Sequence, residues 1–378
     1  MGLSKYKLGD LIKLEDERNS DKQYTLDDVK GISIQKIFIE TKADMQNVSL
    51  TPYILVKPDF LAYVTVTSRN GEKITLAHND TQDTYIVSSS YVVFSVKRKD
   101  LLNSDYLFMY FNRPEFDRYA RFNSWGSARE TFSWEDMCDI DIELPDLPTQ
   151  QKYVDIYKAM VANQQSYERG LEDLKLVCDG YIEDLRRRVP CEKIGAYLVE
   201  SDQRNTHGLP VEAVRGIATN KELIPTKANM DGVSLGNYKV VNPGQIAYVA
   251  DTSRRGDKIS LGFNDTQEQF LVSSISTVFG TKKEKLLPEY LMLFFTRAEF
   301  DRYARFNSWG SARETFDWSE MCCVEIPIPD IDTQKAIAQM YNVYVTRTKI
   351  NEQLKAQIKN ICPILIKGSL EEGRNGNL

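Results

Sequence analysis

One stretch of sequence decides the fold of this chain: Glu115-Phe-Asp-Arg-Tyr-Ala-Arg-Phe-Asn-Ser-Trp-Gly-Ser-Ala-Arg-Glu-Thr-Phe132, which recurs without change as Glu299 to Phe316. Shorter matches on both sides pair Thr67-Ser-Arg69 with Thr252-Ser-Arg254, and Thr149-Gln150 with Thr333-Gln334. The matches cover nearly the whole chain at a spacing of about 185 residues, which is the size of a domain and too long for a solenoid repeat. The sequence therefore predicts a tandem duplication of one domain-sized unit.

The first part of each copy, residues 1–148 and 189–332, is rich in strand-like runs. In the first copy these runs are Tyr53–Val56, Leu61–Val66, Lys73–Leu76 and Tyr91–Phe94. Their β-branched and aromatic residues, separated by turn residues such as Asn70-Gly71, are typical of strands. The segment Ser104 to Arg121 has the pattern of a helix. We therefore predict two similar, mixed and strand-rich α+β domains.

The second part of each copy, residues 149–188 and 333–370, has the pattern of a long helix. Apolar residues of the first segment alternate in steps of four and three, with Gln164 and Cys178 completing the series; they are Tyr153, Tyr157, Met160, Tyr167, Leu171, Leu174, Tyr181 and Leu185. The second segment carries a matching series from Ile337 to Leu365. Such a heptad stripe predicts that each helix packs along one face.

Two helices with one apolar stripe each most simply pack on each other. We predict an antiparallel coiled coil that separates the two domains and relates them by an approximate two-fold axis. The alternative is that each helix folds back onto its own domain. Residues 371–378 are predicted to be a tail.

The composition narrows the class of protein. The chain is 42% hydrophobic and has only two histidines, and its six cysteines form no C-x-x-C pair. A core large enough for two domains is therefore expected, whereas histidine-based catalysis and metal sites are disfavoured. The sequence shows no apolar run of membrane-spanning length and no signal-peptide pattern at its start, so we expect a cytoplasmic protein.

The order of domain, helix, domain, helix resembles the specificity subunit of Type I restriction–modification enzymes. Each helix follows a proline-containing turn and a glutamine, Ile142-Glu-Leu-Pro-Asp-Leu-Pro-Thr-Gln150 and Ile326-Pro-Ile-Pro-Asp-Ile-Asp-Thr-Gln334. Gly126-Ser127 and Gly310-Ser311, some residues upstream, also look like an element of that family. The resemblance covers nearly all of the chain. It implies that the two α+β domains are target recognition domains.

The resemblance also implies partners. Two modification subunits would carry S-adenosylmethionine and methylate adenine, and two restriction subunits can join them for phage defence by cutting DNA. The specificity subunit itself would bind no cofactor and would read a split target in double-stranded DNA. The main alternative is a duplicated scaffold or RNA-binding adaptor.

The residues themselves favour a noncatalytic role. An adenine methyltransferase holds its flipped base with a Pro-Pro-aromatic loop, and the chain contains no Pro-Pro. It also contains no G-x-G and no phosphate-binding loop. Asp173-Leu-Lys175 has the spacing of a nuclease motif, but its place on the long helix indicates a solvated face.

The repeated segment supplies the first group of candidate DNA-binding residues. They are Arg118, Arg121, Asn123, Ser124, Ser127 and Arg129, with the copies Arg302, Arg305, Asn307, Ser308, Ser311 and Arg313. Guanidinium and amide groups can read guanine and adenine edges or hold phosphates. The alternative is that Arg118 pairs with Glu115. We expect the tryptophans of the segment, Trp125 and Trp134, to lie in the core.

The second group lies on a predicted hairpin. It consists of Arg69, Asn70 and Lys73, with the copies Arg254, Arg255 and Lys258, although an ordinary solvated turn is equally compatible. The loops of the two copies are nearly the same, whereas recognition domains of this family normally differ. We therefore predict a nearly palindromic, bipartite target. The halves could diverge where Arg255 replaces Asn70 and where Phe263 replaces His78.

Overall fold

The computed structural model describes residues 3–41, 43–67, 73–127, 129–252, 258–311 and 313–375. The chain forms two compact units. The first unit comprises Met1–Ser166 and Asn351–Leu378, and the second unit comprises Tyr167–Ile350. The helices are α1 (Ser104–Phe111), α2 (Pro114–Phe122), α3 (Trp134–Cys138), α4 (Leu147–Arg188), α5 (Pro288–Phe295), α6 (Ala298–Phe306), α7 (Trp318–Cys322), α8 (Ile331–Lys359) and α9 (Ile361–Asn375).

In the described part of the chain, each unit contains ten short strands. Those of the first unit are β1 (Ser4–Lys7), β2 (Ile12–Glu15), β3 (Lys30–Ile32), β4 (Phe38–Glu40), β5 (Ile54–Val56), β6 (Leu61–Val64), β7 (Leu76–His78), β8 (Tyr85–Val87), β9 (Tyr91–Val96) and β10 (Asp141–Leu144). Those of the second unit are β11 (Cys191–Lys193), β12 (Leu198–Ser201), β13 (Arg215–Ile217), β14 (Leu223–Pro225), β15 (Lys239–Val241), β16 (Ile246–Val249), β17 (Ser260–Phe263), β18 (Phe270–Val272), β19 (Thr277–Thr281) and β20 (Glu325–Pro327).

The core of the first unit is built around a four-stranded antiparallel sheet in the order β2-β9-β6-β7. Successive side chains of a strand point to opposite faces, and β6 shows this directly. Leu61 and Tyr63 enter a large cluster with residues of α1 and α2, whereas Ala62 enters a smaller cluster with Val56 of β5 and Val87 of β8. Both faces of the sheet are therefore covered, which explains why β6 is buried along most of its length.

The second unit repeats this arrangement. Its four-stranded sheet has the order β12-β19-β16-β17, and its paired strands β11-β20, β13-β14 and β15-β18 match β1-β10, β3-β4 and β5-β8 of the first unit. Ile246 and Tyr248 enter its large cluster, and Ala247 enters its smaller one. The predicted duplication of mixed, strand-rich domains is thus confirmed.

Each long helix is attached to its domain through one buried glutamine. The side-chain amide of Gln150 donates to the carbonyl oxygens of Leu101 and Pro145, both at 2.8 Å. Its oxygen accepts the backbone N–H of Asn103 at 3.0 Å. Gln334 makes the equivalent contacts with Lys285, Pro329 and Leu287 in the second unit. Because this amide satisfies three backbone groups at once, it fixes where the helix leaves the domain.

Inside each unit, parts of the two long helical segments run antiparallel. In the first unit, Lys152 near the start of α4 binds Glu372 near the end of α9 at 2.8 Å, and Gln164 donates to Asn351 at 3.0 Å. In the second unit, Gly170 lies against the guanidinium of Arg347. The predicted antiparallel pairing of the long helices is thus confirmed within each unit.

Three details differ from the sequence predictions. The segment predicted as one helix from Ser104 to Arg121 consists of α1 and α2, because Pro114 starts a new helix and disfavours helical geometry at the residue before it. Near the end of α4, Ile182 is buried and Tyr181 is exposed, since a heptad stripe drifts around a straight helix of 3.6 residues per turn. Finally, the second predicted long helix is interrupted at Asn360, between α8 and α9, and α9 continues to Asn375, within the segment predicted as a tail.

None of the helices in the described part of the chain is both long enough and apolar enough to cross a membrane.

Candidate nucleic-acid interface

The candidate interface is built on helix α2 and its copy α6. Pro114 occupies the first turn of α2, where its missing N–H is not needed. Phe116, Asp117 and Ala120 form the buried face of the helix. Arg118 lies on the exposed face and Arg121 at the edge of the buried one. The helical period therefore separates packing residues from the predicted DNA-binding arginines.

A buried ion pair fixes α2 in the first unit. The ammonium of Lys36 lies 2.8 Å from the carboxylate of Asp117. The same carboxylate accepts the backbone N–H of Ile74 at 3.3 Å. Burial lowers the pKa of Lys36 from its usual value, and the Asp117 charge opposes that shift. Because Ile74 follows Lys73 directly, the pair ties α2 to the end of the second candidate segment.

The second unit contains an equivalent buried ion pair. Asp301 of α6 pairs with Lys221, and it accepts the backbone N–H of Ile259 at 3.1 Å. Burial also lowers the pKa of Lys221. This ion pair was not found by sequence reasoning, because Lys36 and Lys221 lie far from the repeated segment in the chain and no motif connects them to it.

The end of α2 is capped by two residues that the sequence analysis assigns to DNA. Asn123 donates its side-chain amide to the carbonyl oxygen of Tyr119 at 2.9 Å, and the Ser124 hydroxyl donates to Ala120 at 2.6 Å. The copies Asn307 and Ser308 bond to Tyr303 and Ala304 in the same way. Ser124 and Ser308 are buried. These side chains satisfy the last carbonyls of the helix and so shape the loop that follows.

The two ends of that loop are bonded to each other in both units. In the first unit, Trp125 and Thr131 exchange two backbone hydrogen bonds, of 3.1 and 3.0 Å. Gly126 between them has φ 141°, and a Cβ there would clash with the carbonyl oxygen of Arg129. Only glycine fits this turn. Gly310 takes φ 137° in the second unit and faces the same restriction.

The loop is joined to the end of strand β6. The backbone N–H of Thr67 donates to Glu130 at 3.0 Å, and that of Phe132 donates to Thr65 at 2.8 Å. Thr252 and Phe316 make the equivalent bonds with Glu314 and Ala250. The repeated loop and the start of the predicted hairpin are therefore neighbours in each unit, as a common binding surface requires.

The candidate arginines differ in their partners. Arg121 pairs with Glu130, as does Arg305 with Glu314, and Arg118 lies 3.5 Å from Glu115. Arg302 is exposed on α6. Arg129, Ser127 and the copies Arg313 and Ser311 are exposed on the loops. Ala128 and Ala312 lie outside the described residues.

The hairpin candidates are described only at one end. Arg69, Asn70, Arg254 and Arg255 lie outside the described residues, whereas Lys73 and Lys258 are described and exposed. Lys73 and Arg118 line a groove of about 430 Å³ in the first unit, together with Lys355 and Lys359 of α8. The structure thus brings one residue of each candidate group to the same groove.

The tryptophan prediction is correct for one residue of each copy and wrong for the other. Trp134 packs on Phe94 with ring centroids 5.5 Å apart, and Trp318 packs similarly on Phe279. Trp125 is 67% exposed, however, and its copy Trp309 is 64% exposed. Phe122 and Phe306 are even more exposed, at 78% and 79%. The helical period could have shown this for Phe122, which falls away from the face of Phe116 and Ala120.

The structure also corrects the interpretation of His78. The sequence analysis names it as a position where the two half-targets could diverge, but its side chain is buried beside Phe108, with ring centroids 5.8 Å apart. Burial lowers the pKa of His78 from its usual value. His78 therefore packs against α1, and its copy Phe263 is partly buried against the core of the second unit.

Comparison with known proteins gives one family. The model of the Type I restriction modification DNA specificity domain matches residues 2–174 and 236–360. The crystal structure of a Type-I restriction-modification system S subunit from M. genitalium covers 98% of this chain and 96% of its own, with a TM-score of 0.61 and 8% identity. The HsdS subunit from Thermoanaerobacter tengcongensis is 14% identical, covers 100% of this chain and 97% of its own, and has a TM-score of 0.39. No curated protein matches the sequence at a significant level.

Proposed function

The chain belongs to the Type I restriction–modification DNA specificity family, and from that premise we propose that it selects the DNA target of an adenine methyltransferase. Members of this family are noncatalytic specificity components. In the proposed assembly, two modification subunits supply S-adenosylmethionine and the methyl-transfer chemistry. Two restriction subunits can join them to cut DNA, and the assembly acts in the cytoplasm. The present chain contributes two recognition domains that read two half-targets.

The observation that carries the proposal is the repeated loop, closed by backbone hydrogen bonds, beside an arginine-bearing helix. In each unit this loop exposes one arginine, Arg129 or Arg313, next to an exposed serine. A guanidinium held at a fixed position can form two parallel hydrogen bonds with the major-groove edge of guanine. Ion-paired Arg118 and Arg121 are better suited to phosphates, because a phosphate can replace the carboxylate that neutralises them.

The long helices set the distance between the half-targets in this proposal. The sequence analysis predicts that they relate the two units by an approximate two-fold axis. A protein with such symmetry reads inverted half-sites, because its symmetry is mirrored in the duplex. The near identity of the two loops then makes the half-sites similar in sequence.

Co-purification tests the proposal. The chain is expressed with candidate modification subunits encoded beside it, and the purified assembly is incubated with S-adenosylmethionine and genomic DNA. We expect a stable complex and adenine methylation at one motif, neither of which the modification subunits alone produce. Failure to form a complex, together with methylation that is independent of this chain, would favour the duplicated scaffold. Methyl transfer by the chain alone would contradict the noncatalytic role.

A further inference from the structure

The two most exposed aromatic residues of each repeated segment contribute little to packing. Phe122 ends α2 and Trp125 begins the loop, and their copies Phe306 and Trp309 are just as exposed. A side chain that remains in water contributes little hydrophobic stabilisation. Packing therefore gives no reason for two large apolar side chains at these positions in either unit.

Their identity in the two copies is the second observation. Exposed positions just outside the repeated segment have diverged: Pro114 corresponds to Ala298, and Glu135 to Ser319. Within the segment, the exposed aromatic positions are unchanged. Since the fold alone does not require these rings, a shared binding role explains why both copies keep them.

The backbone that carries the rings is hydrogen-bonded to its surroundings. Trp125 is fixed by two backbone hydrogen bonds with Thr131, and the loop is bonded to the end of β6 through Thr67 and Phe132. The Ser124 hydroxyl closes the end of the helix between the two aromatic residues. A surface that is already ordered loses little conformational entropy when a partner binds, which favours affinity.

The charge of the surface around these rings indicates which class of partner binds there. The exposed side of the segment carries Arg118, Arg121 and Arg129 against Glu115 and Glu130, and Lys36 neutralises Asp117. This surface is therefore net positive, in a chain whose formal net charge is −6. Aromatic rings among arginines suit nucleic acid, since the rings stack on bases or pack on sugars while guanidinium groups hold phosphates.

We propose that Phe122 and Trp125 in the first unit, and Phe306 and Trp309 in the second, pack directly against the bases of double-stranded target DNA. The inference rests on the proposed function and adds to it an apolar contact at each half-site. An aromatic side chain can enter between base steps or cover a base exposed in the groove. Each recognition domain then combines a positively charged grip with an aromatic contact to the bases.

The test uses the assembly of this chain with its modification subunits and a duplex probe of roughly 40 base pairs carrying the motif that the assembly methylates. Trp125→Ala and Trp309→Ala are each expected to weaken binding roughly 5- to 150-fold, the range for loss of a base–aromatic contact. The dependence of affinity on salt should stay unchanged, because no phosphate contact is lost. Ile275→Ala removes an equally exposed apolar side chain of the second unit and should have no effect.

Circular dichroism and size-exclusion chromatography accompany each variant. Wild-type affinity for the probe in both tryptophan variants, with specific binding by the wild-type assembly, would overturn the inference and leave the proposed function intact. Loss of assembly with the modification subunits in the absence of DNA would also overturn it, since the rings would then form a protein interface. If the wild-type assembly does not prefer the motif over mixed-sequence DNA, the proposed function fails and the inference with it.

Discussion

Replacing Asp117 with alanine is expected to destabilise the first unit strongly. The carboxylate lies 2.8 Å from Lys36, whose side chain is only 3% exposed, and it also accepts the backbone N–H of Ile74. Removing one partner of a buried ion pair leaves an uncompensated charge and costs about 3–5 kcal/mol. For a unit of this size the thermal midpoint should fall by roughly 6–20 °C. Calorimetry and urea unfolding measure both quantities.

Three variants control this prediction. Asp301→Ala should repeat the effect in the second unit, because Asp301 pairs with the buried Lys221. Glu115→Ala breaks only the exposed contact with Arg118 on the same helix, so it should cost less than about 1 kcal/mol. The double variant Lys36→Met/Asp117→Leu should recover much of the loss, because no charge remains buried. A cost below 1 kcal/mol for Asp117→Ala, or a double variant no more stable than the single one, would refute the reasoning.

Three further predictions follow from the same geometry. Arg129→Ala and Arg313→Ala should each weaken specific DNA binding by the assembly roughly 5- to 150-fold without changing its thermal stability, as expected for loss of a bidentate base contact; unchanged affinity and site preference in both variants would exclude these residues as readers. Gly126→Ala and Gly310→Ala should distort the loops, at a cost of about 1–3 kcal/mol and with reduced DNA affinity, because each added Cβ clashes with backbone; wild-type binding would show that the loop tolerates the change. Burial raises the pKa of Tyr106 to about 12. The folded state therefore keeps its phenol neutral at a pH where the unfolded state ionises it. This contribution to the free energy of unfolding, roughly 2–3 kcal/mol, is fully present below pH 10 and is lost as the pH rises toward 12. Urea unfolding at pH 8 and pH 11 should show about half of this loss, roughly 1.4 kcal/mol, which Tyr106→Phe should remove.

The architecture could be predicted because the sequence contains two copies of the same unit. An identical segment in two copies reveals the duplication, and the stripe from Tyr153 to Leu174 reveals a helix with one buried face. The glutamine before that stripe, Gln150, proves to be the residue that bonds the helix to its domain. The stripe depends on residues close together in sequence, where the helical period applies, and the duplication is found by comparing the two copies directly.

Features that depend on distant contacts could not be predicted. Nothing near Lys36 indicates that it meets Asp117, and a lysine is rarely fully buried. Trp125 was expected in the core because tryptophan is usually buried, but the tight turn at Gly126 leaves it exposed. Asn123 and Ser124 have side chains suited to base recognition, yet both cap α2. Residue type alone does not distinguish a capping side chain from a reading one.

Genome-wide mapping of methylated adenines by single-molecule sequencing tests the central claim most directly. The claim is that two loops of identical sequence, residues 121–132 and 305–316, read two similar half-sites. The account predicts a bipartite motif with a nonspecific gap, whose halves are inverted and agree at most positions. Two unrelated half-sites, or two similar half-sites in direct repeat, would contradict the account.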